Sequence, residues 1–154
     1  MTKVFENGPF LSAAMFCEKV LQEVDGVKSA IRIVDRITFQ AQGTQPPDEM
    51  PPFNFQTNLL LQFKSGAARG ASQLEIRMVK PSLDSNSILA QTIMFEGEDD
   101  RGVGVICNMN LKIDEPGVYW FYITLDGTTV TRLPLRVIYI KQIRQIQSGN
   151  TDNL

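Results

Sequence analysis

The residues that most often do chemistry in enzymes are scarce in this sequence. Histidine is absent from all 154 residues, and histidine is the commonest general base and metal ligand near neutral pH. Its absence excludes a Ser–His or Cys–His nucleophile pair. The glycine-rich segments 66–70 and 102–104 match neither the phosphate-binding loop nor the dinucleotide fingerprint. The sequence therefore predicts no catalytic residue and no cofactor, and we expect a protein that is not an enzyme.

The two cysteines, Cys17 and Cys107, leave two interpretations open. A pair of this kind forms the inter-sheet disulfide of secreted immunoglobulin domains, whereas an unexported chain keeps its thiols reduced. Activation of Cys17 by Lys19 or by a helix N-terminus is conceivable chemistry. We expect instead two buried free thiols, and two cysteines without histidine cannot complete a tetrahedral zinc site.

One acidic run, Glu96-Gly97-Glu98-Asp99-Asp100, holds the only cluster of hard oxygen ligands in the sequence. Calcium requires six to eight oxygens at fixed spacing, which a flexible turn supplies poorly. A glycosidase needs a second carboxylate across a cleft from the first, and these acids share a single loop. We therefore interpret the run as a solvated loop between two strands, and we predict no metal site.

A strand with two apolar faces is the most informative feature of the chain. Within residues 118–125, the odd-numbered side chains include Tyr119 and Phe121, and the even-numbered ones include Trp120 and Tyr122. One face is expected in the core, and the other forms an aromatic stripe. Alternatively, that second face is covered by the N-terminal segment or by the tail through Ile143 and Ile146.

The strand after this one, 130–140, places arginine beside the aromatic stripe. With a hairpin loop of three residues, either 125–127 or 126–128, the alternate apolar residues of this strand face inward. Either register puts the Arg132 guanidinium beside Trp120 or Tyr122, where it can lie over a ring. Aromatic residues beside arginine are typical of interface hot spots. The predicted partner-binding residues are Trp120, Tyr122, Arg132, Pro134 and Arg136.

The elements that position these residues are strands. Seven runs have strand character and are separated by Gly, Pro, Asn and Asp, namely 28–40, 56–64, 73–79, 88–95, 105–113, 118–125 and 130–140. Segment 11–24 suits a strand or a helix, and we favour a strand to Phe16 followed by a helical turn through Glu23. Four prolines make 41–54 a loop. This pattern predicts an all-β fold, an antiparallel immunoglobulin-like β-sandwich of about seven strands with minimal helix.

Composition limits the remaining classes. A chain of 154 residues fits a single domain, which we place at 1–147, with a disordered polar tail at 148–154. The net charge of -2 gives no basic field for a phosphate backbone, so nucleic acid is not an expected partner. No apolar run is long enough to span a bilayer, and no signal peptide is recognisable. We therefore expect a cytoplasmic protein that does not bind membranes.

Two resemblances carry further expectations. The run Asp114-Glu115-Pro116-Gly117-Val118-Tyr119 resembles the tyrosine corner of immunoglobulin-like domains, in which the hydroxyl bonds back to the chain. The segment from Cys17 to Asp35 and the closing hairpin are similar to an uncharacterised family of small bacterial proteins. The matching hairpin positions are Pro116, Gly117, Tyr119, Asp126, Gly127, Pro134, Leu135, Arg136 and Val137. That resemblance implies an immunoglobulin-like fold and a bacterial origin, and no known activity.

Two functions of different classes fit these observations. The first is a protein-interaction module that binds a protein partner or associates with itself through the aromatic stripe or an unpaired edge strand. The alternative is a small-ligand or carbohydrate-binding sandwich that uses the loops 46–53 and 96–104, because loops often carry sites on rigid scaffolds. Trp120 lies mid-strand rather than in those loops, which favours the first.

Overall fold

A computed structural model describes residues 6–144, and all of their regular structure is β-strand. The strands are β1 (Phe10–Gln22), β2 (Lys28–Ile33), β3 (Arg36–Gly43), β4 (Phe53–Lys64), β5 (Gly70–Val79), β6 (Ser85–Phe95), β7 (Gly102–Ile113), β8 (Gly117–Leu125) and β9 (Thr128–Ile143). The predicted tail, 148–154, and the C-terminal limit of the predicted domain lie outside the described residues.

The strands form two sheets. A four-stranded antiparallel sheet has the order β2-β1-β4-β7, and a five-stranded sheet has the order β3-β9-β8-β5-β6. In the five-stranded sheet β3 lies parallel to β9. The other adjacent strands of that sheet are antiparallel to each other. The all-β prediction is confirmed. Within residues 6–144 there are nine strands rather than seven, and one sheet is mixed rather than antiparallel.

Part of this difference arises in segment 28–40, which forms two strands instead of one. Arg32 has a left-handed φ of 54°, which interrupts the regular pleat. At Val34 and Asp35 the chain leaves the β1 side and crosses to the other sheet. Because β3 arrives by this crossing and not through a hairpin, it can lie parallel to β9.

The remaining additional strand is β1, which continues where a helical turn was expected. Lys19 pairs with Ile31 and Gln22 with Lys28, so the second half of β1 belongs to a hairpin. The turn is closed by a hydrogen bond from the Glu23 amide to the Val27 carbonyl. Since β2 supplies backbone partners for residues 19–22, the predicted helical turn is wrong.

The core lies between the two sheets. Aromatic rings bridge them, with Phe16 and Phe121 edge to face at 4.9 Å between centroids and Phe63 and Phe95 at 6.1 Å. Each of these four side chains is 5% exposed or less, and burial of such a side chain contributes about 1.5–3 kcal/mol. Apolar side chains are thus concentrated inside, and binding residues must be sought on the outer faces.

Candidate partner-binding face

The two faces of β8 differ in burial as predicted. Its odd-numbered side chains, including Tyr119 and Phe121, are fully buried. Trp120 and Tyr122 are half-buried on the outside of the five-stranded sheet. The aromatic stripe therefore retains a surface that a second molecule can contact.

The turn between β8 and β9 sets which side chains join that stripe. Asp126 and Gly127 have φ values of 48° and 79°, typical of a two-residue type I′ turn. The predicted three-residue loop is wrong. A β-bulge at Val130, opposite residues 123–124, supplies the extra residue instead. The alternate residues of β9 therefore face the predicted sides of the sheet, and Arg132 lies on the outer face.

Aromatic and arginine side chains are neighbours on this face. Trp120 is paired with Pro134, and Tyr122 lies between Arg77 on β5 and Arg132 on β9. The Arg132 Cζ atom lies 4.6 Å from the centroid of the Trp120 ring, which is cation–π geometry. The predicted placement of the guanidinium over a ring is confirmed.

A pair of like charges lies next to these residues. Arg36 on β3 is directly opposite Arg136 on β9, and like charges in this position are destabilising. The Arg36 guanidinium is 3.6 Å from the Asp35 carboxylate, which offsets part of the repulsion. Arg136 has no acidic partner among the described residues.

The outer face is therefore basic. Arg77 is neutralised by Glu75 at 2.9 Å, whereas Arg132 has no ion pair within residues 6–144. We use the name arginine–aromatic face for Arg36, Arg77, Trp120, Tyr122, Arg132, Pro134 and Arg136. It contains four arginines, with Glu75 and Asp35 beside them, and it includes all five predicted partner-binding residues.

Pro134 occupies a local sheet edge. The β3 pairing of β9 begins only at Arg136, so at Pro134 the strand has β8 as its single neighbour. Proline lacks an amide donor and is tolerated at such edges. It also blocks the addition of a further strand there, so side chains rather than the strand edge are available for binding at this position.

The tyrosine corner anchors the start of β8. The Tyr119 hydroxyl donates to the Glu115 carbonyl at 2.7 Å, as the resemblance of this segment to a tyrosine corner implied. Burial raises the pKa of Tyr119. Next to it, Lys80 Nζ lies 2.6 Å from Asp114 Oδ1. Their hydrogen bond lowers the pKa of Asp114 and raises the pKa of Lys80.

Both cysteines are buried free thiols. Cys17 lies on β1 and Cys107 on β7, with β4 between them. Two strand spacings amount to about 10 Å, beyond the reach of a disulfide. Burial raises the pKa of each thiol, which lowers its nucleophilicity.

The two loops considered for small ligands do not converge. Segment 46–52 leads into Phe53 at one end of β4, and segment 96–101 leads into Gly102, which pairs with Lys64 at the other end. A strand of this length spans roughly 36 Å. Of the acidic run, Asp99 is paired with Arg69 at 2.9 Å. Within residues 6–144 no group of three or more acidic or cysteine side chains is arranged to hold a metal ion.

A polar cleft is the feature that sequence reasoning missed. Its volume is about 1060 Å³, and it is bounded by the β1–β2 hairpin, the first residues of β3 and the strands β4 and β7. Glu18, Arg32, Asn58 and Asn108 are among its lining residues. These residues are far apart in sequence, so their proximity depends on strand order and register. The one local signal was the polar alternation of β7.

A family model matches residues 12–138 of the chain and describes a family of unknown function, DUF6941. The chain belongs to this family. The match covers most of the sequence and includes the arginine–aromatic face and the cleft. It confirms that the chain belongs to an uncharacterised family. No curated protein sequence matches the chain.

Solved structures are similar to this chain at low sequence identity. An alkylpurine DNA glycosylase from Pseudomonas fluorescens, bound to DNA with an abasic site analog, has 8% identity and a TM-score of 0.44 over 81% of this chain and 30% of its own. A β-glucosidase from Listeria innocua in complex with glucose has 10% identity and a TM-score of 0.38 over 82% and 16%. The chain thus spans less than a third of either protein. Neither similarity assigns a function.

Helices long and apolar enough to cross a membrane are not found among residues 6–144.

Proposed function

We propose that this protein is a non-catalytic interaction module, a bacterial cytoplasmic protein with an immunoglobulin-like sandwich. Its arginine–aromatic face binds an acidic segment of a protein partner. The absence of histidine from the sequence supports a function without acid–base catalysis. The family and the all-β fold are compatible with this role and do not by themselves indicate it.

The observation that carries the proposal is the imbalance of charge on one sheet face. Arg132 and Arg136 are exposed and have no acidic partner within the described residues, although the whole chain has a net charge of -2. Half-buried Trp120 and Tyr122 lie beside them. Carboxylates of a partner relieve the repulsion between Arg36 and Arg136, and apolar groups of that partner cover the rings.

The test uses three labelled probes and fluorescence anisotropy. The first is a short glutamate-rich peptide with a central leucine, the second has lysine in place of each glutamate, and the third is a single-stranded oligonucleotide. We expect saturable binding of the acidic peptide alone. Arg132→Glu and Arg136→Glu weaken this binding on the order of tenfold each.

A matched control is available on the other sheet. Lys112 is exposed on β7, and Lys112→Glu makes the same change of charge away from the face. It is expected to leave the affinity within about twofold. Equal binding of the lysine peptide, or an equal effect of Lys112→Glu, contradicts the proposal. Tighter binding of the oligonucleotide, for which arginine and aromatic side chains also provide a platform, replaces it with a nucleic-acid surface.

A further inference from the structure

The polar cleft arises because the four-stranded sheet splits. β1 is paired with β4 only from Phe10 to Cys17, where Cys17 is opposite Asn58. Beyond that point β1 is paired with β2 alone. The β1–β2 hairpin therefore separates from β4 and β7, and the cleft lies in the gap.

Side chains of β4 hold this gap in place. The Thr57 hydroxyl donates to the Cys17 carbonyl at 3.1 Å, and Asn58 Nδ2 donates to the Glu18 carbonyl at 2.9 Å. They satisfy backbone acceptors of β1 at the point where its pairing with β4 ends. The hydrogen bond to Glu18 also fixes which end of the Asn58 amide is the donor.

The Asn58 carboxamide oxygen has unused hydrogen-bonding capacity. Asn58 Oδ1 is buried and is the one such side-chain atom without a hydrogen-bond partner among residues 6–144. An unsatisfied buried acceptor is destabilising. Asn58 lines the cleft, so this unsatisfied acceptor lies at the cleft wall.

Four of the polar residues that line the cleft are amides in register. Asn58 pairs with Asn108, and Gln56 pairs with Asn110 on the neighbouring strands, and all four line the cleft. A carboxamide presents both a donor and an acceptor. Four adjacent carboxamides match a ligand whose groups both donate and accept, which is the property of hydroxyl groups.

The charges of the cleft cancel. Glu18 and Arg32 form an ion pair at its wall, and Asp35 lies 3.6 Å from Arg36. No excess of either sign is left to attract an ion. Phe55, half-buried, lines the cleft from the inward face of β4, opposite to the face that bears Gln56 and Asn58. The volume of about 1060 Å³ is just above the range of about 300–1,000 Å³ for small-molecule sites.

We propose that this cleft is a binding site for a neutral, hydroxyl-rich small molecule of the saccharide class. Amide pairs on the outward face of β4 and β7 bind its hydroxyl groups. The site differs from the arginine–aromatic face in the charge of its ligand and in its amide residues, which lie on the four-stranded sheet, although Arg36 at the start of β3 borders both. It also differs from the loops 46–53 and 96–104.

The probes for this site are maltose, cellobiose and chitobiose as neutral disaccharides, with glucuronate and glucosamine as charged comparisons. Each is titrated into the isotope-labelled full chain and followed by backbone and side-chain amide NMR. We expect at least one neutral disaccharide to shift the amide signals of Gln56, Asn58, Asn108 and Asn110 in a saturable way. The charged sugars are expected to bind more weakly.

Variants at exposed positions separate binding from folding. Gln56 and Asn108 are exposed, so Gln56→Ala and Asn108→Ala are expected to fold and to weaken binding about two- to tenfold. The matched control is Asn54→Ala, on the same strand but outside the lining, with affinity unchanged. The proposal is overturned if no neutral disaccharide shifts the cleft signals up to its solubility limit, if the shifts map to other residues, or if all three variants behave alike.

Discussion

Replacement of Arg136 by glutamine is expected to stabilise the protein while it weakens partner binding. Arg136 is directly opposite Arg36 on the neighbouring strand, and it has no acidic partner within the described residues. Glutamine keeps most of the side-chain length and removes the charge. The change therefore removes a repulsion that the folded protein bears and a cation that an acidic partner needs.

The size of the effect follows from the surroundings of the pair. Cross-strand charge pairs contribute about 0.2–1 kcal/mol. The Arg36 charge is partly offset by Asp35 at 3.6 Å, and Arg136 is exposed. We therefore expect Arg136→Gln to raise the free energy of unfolding by about 0.3–0.5 kcal/mol. For a domain of this size the corresponding rise in Tm is about 1–2 °C.

Differential scanning calorimetry at low and high salt measures this change. At 1 M salt the Debye length is about 3 Å, so the gain in stability should largely disappear. Arg132→Gln is the matched comparison, because it removes the cation–π contact with Trp120 at 4.6 Å. It should lower the unfolding free energy by about 0.5–1 kcal/mol. Both variants should weaken binding of the acidic peptide. A loss of stability in Arg136→Gln, or a gain that persists in 1 M salt, refutes the reasoning.

Two further predictions concern the corner before β8. Tyr119→Phe removes the hydroxyl that donates to the Glu115 carbonyl at 2.7 Å, and urea unfolding should show a loss of about 1–2 kcal/mol. In contrast, Tyr122→Phe should stay within about 0.5 kcal/mol of the parent, and equal losses contradict the assigned bond. The second change is Asp114→Asn, which removes the ion pair with Lys80. Because the pKa of folded Asp114 lies below its ordinary value, the stabilisation is complete above the unfolded pKa and is lost as pH falls through the folded pKa. The variant should have a lower Tm than the parent near pH 7, and the difference should disappear as the pH falls through the folded pKa, so a difference that is independent of pH would exclude this pair as the cause.

Local pattern was sufficient to predict the faces of β8 and the position of Arg132. Alternation along a strand fixes which side chains share a face, and residues 118–125 alternate without interruption. The predicted length of the hairpin loop was wrong by one residue, but the predicted faces of β9 were correct. The bulge at Val130 supplies the extra residue that directs the apolar side chains of β9 into the core. Burial of the odd-numbered side chains of β8 determined the register more strongly than the turn did.

The crossing between the sheets and the cleft were not predictable in the same way. Residues 28–40 contain a long run rich in β-branched residues, and this pattern does not indicate the left-handed conformation at Arg32, which is rare for this residue type, or the change of sheet after Val34. The cleft joins Glu18, Asn58 and Asn108 from three strands. Its existence depends on where β1 stops pairing with β4, which no local pattern encodes.

The two outer faces of this fold offer chemically different surfaces on a shared core. In each sheet the inward side chains of the central strands are apolar and buried, so the outward residues are largely free to vary without loss of the fold. On the five-stranded sheet those outward residues include arginines and aromatics. On the four-stranded sheet they include amides. A surface with excess positive charge selects anions, whereas paired amides with balanced charges do not. One scaffold can therefore present a surface suited to an acidic protein segment and another suited to a neutral small molecule, with Arg36 at the border of the two.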